Sequence, residues 1–138
     1  MKAPVLRRAQ RRAVRRAAAR VVQEIGRVGR ARGRENEERL LAAVLSIVGQ
    51  TEWIRGARMG SPEEDRRGID LVVDTNVGPL FLQAKSSRDA ASRFRASRGH
   101  TLIGVVVVSL DAVTTGRRAI TELSKLRAAV IANREGAA

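Results

Sequence analysis

Cysteine is absent from the 138 residues, which excludes disulfides, zinc–thiolate sites and thiol nucleophiles. Histidine occurs once, as His100 beside Gly99. It falls where a helix gives way to a strand, with no partner in the pattern, and reads as a loop residue rather than a general base. There is no long hydrophobic run. The longest, Leu102 to Leu110, is broken by Gly104 and Ser109 and falls far short of the roughly 20 apolar residues that span a bilayer. Aromatic residues make up 2% of the chain, and Trp53 reads as core. Lysine is scarce as well: of 27 basic residues only Lys2, Lys85 and Lys125 are lysines. These absences fit a cytoplasmic protein of one domain plus at most an arm.

What the chain has in excess is positive charge, +13 in total. Its distribution is uneven. Residues 1–34 hold 12 basic residues and one acid, Glu24, giving +11, whereas residues 35–138 carry +2. The chain therefore divides into a basic arm, residues 1–32, and a nearly neutral domain, residues 33–138. Such an arm attracts polyanions, with nucleic acid the usual partner. A solubilising tail or translated upstream sequence gives the same composition. Arginines at 7, 8, 11, 12, 15 and 16 and a weak apolar stripe through Val14, Ala17, Ala18 and Val21 predict a helix from about Leu6 to Ile25. Gly26, Gly29 and Gly33 then predict a flexible joint.

In the domain, Leu40, Leu41, Val44, Leu45 and Val48 repeat at helical spacing, predicting a helix over 35–48. Residues 51–58 read as a strand, Gly60-Ser61-Pro62 as a turn, and Glu63-Glu64-Asp65 as a solvated acidic loop. Two short apolar runs, 69–74 and 79–85, flank Thr75-Asn76-Val77-Gly78, a hairpin pattern with Asn and Gly where positive φ is needed. A helix over 87–98, a strand over 101–110 buried on both faces, and a helix over 115–133 complete the order.

Side chains alternate along a strand. Gln83 and Lys85 therefore share a face about 6.6 Å apart. A hairpin that turns Asp70 to that face brings a carboxylate, an amide oxygen and an ammonium together, a set suited to a hard cation and a phosphate. Lys85 stands out because the chain otherwise writes its cations as arginine, and the compact ammonium is not equivalent to a guanidinium. Glu37 lies at the head of the buried face of the first domain helix and is the candidate second acid, with Glu38 the alternative. Ser86, Ser87 and Arg88 follow the second strand directly, where they suit either a phosphate or a helix cap.

Asp70, then Gln83-Ala84-Lys85 on the next strand, within an αβββαβα order, resembles the PD-(D/E)XK nuclease superfamily. The wording Gly68-Ile69-Asp70 and Gln83-Ala84-Lys85 is most similar to Mrr-type restriction nucleases and to archaeal-type Holliday junction resolvases. Ile69 stands where the family name has proline. The resemblance covers about residues 33–133. It implies an α/β fold with a mixed central sheet flanked by helices, and Mg²⁺-dependent hydrolysis of DNA phosphodiesters, with Mn²⁺ able to substitute. Asp70, Gln83 and Glu37 would hold the metal and Lys85 would act on water or phosphate. Arg66, Arg67, Ser86, Ser87, Arg88 and Arg95 are the nucleic-acid-binding candidates, and a homodimer is the default assembly. The rival expectations are a nucleic-acid-binding module with a decayed site, and an assembly protein whose arm packs against nucleic acid.

Overall fold

The computed structural model describes residues 8–98 and 102–136; Gly99 and His100, with the readings attached to them, lie outside the described residues. The chain separates into two compact units, Met1–Arg32 and Gly33–Ala138.

The first helix, α1, runs Arg8–Ile47. The predicted joint is not seen: Gly26, Gly29 and Gly33 lie inside the helix. Each interior glycine costs about 1 kcal/mol relative to alanine, and alanine, arginine and glutamate neighbours with high helix propensity offset it. In the first unit, Val14 and Val21 are about 60% exposed, so the apolar stripe is uncovered there.

The second unit is an α/β domain. After α1 come β1 (Ile54–Met59), α2 (Pro62–Arg66), β2 (Leu71–Thr75), β3 (Gly78–Lys85), α3 (Arg88–Arg98), β4 (Ile103–Val107) and α4 (Ala112–Gly136). The four strands form one mixed sheet in the order β1-β2-β3-β4. β1, β2 and β3 are antiparallel in turn, and β4 is parallel to β3 after the α3 crossover.

Alternation sorts the sheet into two faces. One carries Leu71, Val73, Leu80, Leu82, Ala84 and Val106, which pack with Leu40, Val44 and Ile47 of α1 and Ala119 and Leu123 of α4. The other carries Gln83, Lys85, Val105 and Val107, and α3 lies over it, with Ala91 buried. β4 is an edge strand, and arginines occupy its free carbonyls. Arg95 donates to Val105 O at 3.4 Å and Arg118 to Val107 O at 2.9 Å, which obstructs pairing with another strand.

Four local expectations are corrected. The acidic segment Glu63-Glu64-Asp65 is helical, not a loop. Ser61 caps α2 by accepting from Glu64 N, Glu64 reaches back to Ser61 N, and Pro62 takes the first helical position, a reciprocal capping box. The first strand begins at Ile54 rather than Thr51. In the hairpin turn only Gly78 has positive φ, +99°, and Asn76 does not. Thr75 closes that turn instead, its hydroxyl donating to Gly78 O at 2.6 Å and accepting from Val77 N at 3.2 Å. α4 also starts earlier than predicted, at Ala112, because Asp111 accepts from Thr114 N at 3.1 Å and supplies the cap.

Candidate metal centre

The hairpin register pairs Leu71 with Leu82 and Val72 with Phe81. Asp70 lies one residue before β2, beside the strand that carries Gln83. Asp70 is fastened to the backbone on either side of Gln83. Its N–H donates to Leu82 O at 3.0 Å, and its carboxylate accepts from Ala84 N at 2.9 Å. On the opposite side its carbonyl accepts from Gly60 N at 2.8 Å. The carboxylate is thus held between two strands at the point where β2 begins, 6% exposed.

Two further acids meet it. Glu37 stands one turn before the buried Leu40 of α1, and Asp65 ends the acidic run of α2. One carboxyl oxygen from each of Glu37, Asp65 and Asp70 lies within 4.8 Å of the others. Of the two first-helix candidates, Glu37 enters the cluster, while Glu38 is exposed. Asp65 is not among the residues that the sequence pattern singles out. Its signal is nevertheless present in Ser61-Pro62-Glu63-Glu64, a capping-box sequence with proline at the first helical position, which fixes the turn that presents Asp65.

Crowded carboxylates in a buried place resist ionisation. Burial pushes the Asp70 carboxyl up to about 7, against the Ala84 N–H that favours its charged form, and the Glu37 and Asp65 carboxyls push in the same direction as burial. Glu37 is raised too, first by burial and then by the charge of Asp65. A cation among them would relieve Asp70 and Glu37.

Gln83 is 9% exposed and its Oε1 is buried without a hydrogen-bond partner. A buried unpaired acceptor costs about 1–3 kcal/mol. The three clustered carboxylates are oxygen donors, the chemistry that hard divalent cations such as Mg²⁺ take and soft metals do not.

Lys85 lies at the end of β3 on the Gln83 face, but its ammonium sits 5.1 Å from the Phe94 ring centroid. Among the described residues it makes no ion pair with Glu37, Asp65 or Asp70. Arg66, Arg67, Ser86, Ser87 and Arg88 are exposed. Arg67 pairs with Glu63 at 3.2 Å. Ser87 accepts from Ala90 N at 3.1 Å and so caps α3. Arg95 binds the β4 edge and stands 3.8 Å from Glu122, so its side chain has structural work on the sheet edge. Trp53 packs against the core, with the Arg127 guanidinium 5.3 Å from its ring centroid. No helix among the described residues is long and apolar enough to cross a membrane. Comparison with protein-family models, curated proteins and solved structures gave no match, so the functional reading rests on this geometry and the sequence pattern.

Proposed function

We propose that residues 33–138 form a metal-dependent nuclease domain of the PD-(D/E)XK type that hydrolyses DNA phosphodiester bonds, with the basic arm, residues 1–32, adding affinity for the polyanion. The observation that carries this reading is the meeting of Glu37 and Asp70, with the Asp70 carboxylate bonded to Ala84 N on the strand that carries Gln83 and ends in Lys85. Asp70, Glu37 and Gln83 would hold Mg²⁺, or Mn²⁺ in its place. Such an ion supplies positive charge to a phosphate and lowers the pKa of a water at neutral pH. Asp70, fixed by the Ala84 N–H, orients the site. Gln83 offers an oxygen without charge. The Lys85 ammonium offsets charge at the scissile phosphate or steers the attacking water once it leaves Phe94. Exposed Arg66, Arg67 and Arg88, with Ser86, suit contacts to the phosphate backbone. A single site cuts one strand, so a homodimer in the cytoplasm is the proposed working form for duplex cleavage.

One observation favours a second reading. Lys85 resting on Phe94 rather than facing the carboxylates fits a nucleic-acid-binding module that binds metal and DNA without cutting. The deciding experiment offers plasmid, linear duplex, four-way junction and single strand to the protein with Mg²⁺, with Mn²⁺ and with chelator. Metal-dependent nicking is the expected result. Binding of any of these substrates without cleavage under every metal condition selects the module.

The arm makes a separate prediction. Deleting residues 1–32 should leave a folded domain that still cuts, with weaker binding and a flatter salt dependence. Each phosphate neutralised contributes a slope of roughly −0.9 in log K against log salt. With +11 on residues 1–34, even partial engagement of the arm lowers the slope by several units. An unchanged slope in a filter-binding or anisotropy titration means the arm does not touch DNA.

A further inference from the structure

A groove of about 350 Å³ lies at β4, the edge strand, between α3 and α4. Its floor is Val105 and Val107. Helical spacing makes its walls. Arg88, Ser92 and Arg95 follow one another by four and three residues on α3, and Arg118 and Glu122 by four on α4, so each set shares one helix face. The two helices meet at the strand edge. Arg95 of α3 donates to Val105 O and Arg118 of α4 to Val107 O, carbonyls about 6.6 Å apart along the strand.

Charge in the groove is not matched. Glu122 is the one acid lining it, and it stands 3.8 Å from Arg95 and 3.6 Å from Lys125. Arg88 and Arg118 pair with no carboxylate among the described residues. Arg118 is positioned all the same. Its Nη1 donates to Val107 O at 2.9 Å, which leaves the rest of a five-donor guanidinium fork open. Ser92, between the two α3 arginines, is exposed and its hydroxyl makes no hydrogen bond among the described residues. Water solvates a lone surface arginine well. A concave, apolar-floored surface lined by one sign of charge instead focuses its field on an arriving anion. Phosphate is the anion whose oxygens match the planar fork. With +11 on residues 1–34, the chain as a whole favours a polymeric source of phosphate.

We infer that this groove is a further contact surface for nucleic acid, separate from the carboxylate cluster, where Arg88 and Arg118 bind backbone phosphates and Ser92 donates to them. The inference rests on nucleic acid being the partner, which both readings of the function share, and not on cleavage. Glu37, Asp65 and Asp70 do not line the groove, so a phosphate held there is positioned rather than cut. The floor residues Val105 and Val107 pair with Gln83 and Lys85, which sets the groove one strand away from Lys85.

The test is fluorescence anisotropy of the full chain in chelator, so that nothing is cut. The probes are a labelled duplex, a labelled single strand and a labelled nucleoside monophosphate. The variants are Arg88→Gln, Arg118→Gln, Glu122→Gln and the control Arg117→Gln, which removes the same charge from an exposed residue outside the groove. Thermal unfolding checks that each is folded. Arg88→Gln and Arg118→Gln should each weaken oligonucleotide binding about fivefold or more and lower the salt slope by about one unit. Arg117→Gln should stay within about twofold of wild type, since salt screens a charge that touches no phosphate. Glu122→Gln should tighten binding, a change that damage to packing does not produce. Arg88→Gln and Arg118→Gln variants no weaker than Arg117→Gln, or a Glu122→Gln variant no tighter than wild type, overturn the inference. An effect confined to the mononucleotide overturns it too, and makes the groove a pocket for a small phosphate ester. Cleavage is separable. Groove-dependent binding by a protein that never nicks DNA in Mg²⁺ sustains the groove and removes the nuclease reading. Nicking by a protein whose groove variants bind like the control removes the groove alone.

Discussion

Asp70→Asn should abolish metal-dependent cleavage and, in chelator above pH 7, make the protein more stable than wild type. Both effects have one source. The Asp70 carboxyl is pushed from the ordinary 3.8 up to about 7, chiefly by burial. Between those values the folded protein holds a proton that the unfolded chain has released. Stability therefore falls as pH rises from about 4 to about 7 and levels off above. Asparagine cannot ionise, so the part of this slope due to Asp70 disappears. Its carbonyl can still accept from Ala84 N, and its amide can donate to Glu37 or Asp65. The gain at pH 8 should be about 1–3 kcal/mol, since a tenfold change in an ionisation constant is worth about 1.4 kcal/mol and the effect is shared among three interacting acids. Mg²⁺ should reverse the ranking. Wild type gains about 2.7 kcal/mol at one hundred times the dissociation constant, and the variant gains little. Thermal unfolding across pH 4–9, with Mg²⁺ and with chelator, measures all of this. A variant no more stable than wild type at pH 8 in chelator shows that the carboxylate is not under electrostatic stress. Undiminished cleavage by the folded variant takes Asp70 out of the mechanism.

The hairpin between Asp70 and Gln83 is legible in the sequence because a hairpin is a local object. Period-two alternation and a short turn fix which residues oppose, and a slip of one residue would turn Val73 and Leu82 to the wrong face. The succession of helices and strands is legible for the same reason, as the spacing of Leu40, Val44 and Ala119, Leu123 shows. Glu37 can be placed only to within one residue, because Glu37 and Glu38 lie on adjacent faces at the head of α1. The choice depends on how that helix packs on the core, a tertiary fact. Asp65 is lost for another reason. Three consecutive acids after a proline read as solvated, and composition outweighs the capping pattern that places the third of them. Arg95 reads as a nucleic-acid contact because the free edge of β4 is set by sheet order: nothing local says that Val105 O faces outward and needs a donor. The Lys85 side chain reaches Phe94 through rotatable bonds that no alternation pattern specifies.

The cluster also depends on a contact with no chemistry of its own, and this carries the largest expected loss of stability. At Gly60 the chain leaving β1 runs close beside the chain entering β2. A Cβ built there would lie 2.3 Å from Ile69 O, 3.3 Å from Ile69 C and 3.4 Å from Asp70 O. All three are backbone atoms, so no rotamer change relieves the clash. The same glycine donates to Asp70 O at 2.8 Å, so the strands cannot part without breaking the bond that seats Asp70. Nor can Ile69 retreat freely. Its N–H is bonded to Glu64 O at 3.0 Å and its side chain is buried. Relief must displace either Asp70 or the α2 turn that carries Asp65. Gly60→Ala should therefore cost about 2–4 kcal/mol and weaken Mn²⁺ binding together with stability. Gly56→Ala is the matched control. It makes the same change in the same strand, where a Cβ meets nothing within 4 Å, and should stay within about 0.5 kcal/mol of wild type with metal affinity unchanged. Thermal unfolding and Mn²⁺ titration of the two variants side by side decide the matter. Equal stability and equal affinity would mean that the backbone at Ile69–Asp70 yields without cost, and that the position of Asp70 is not set by the close approach of Gly60.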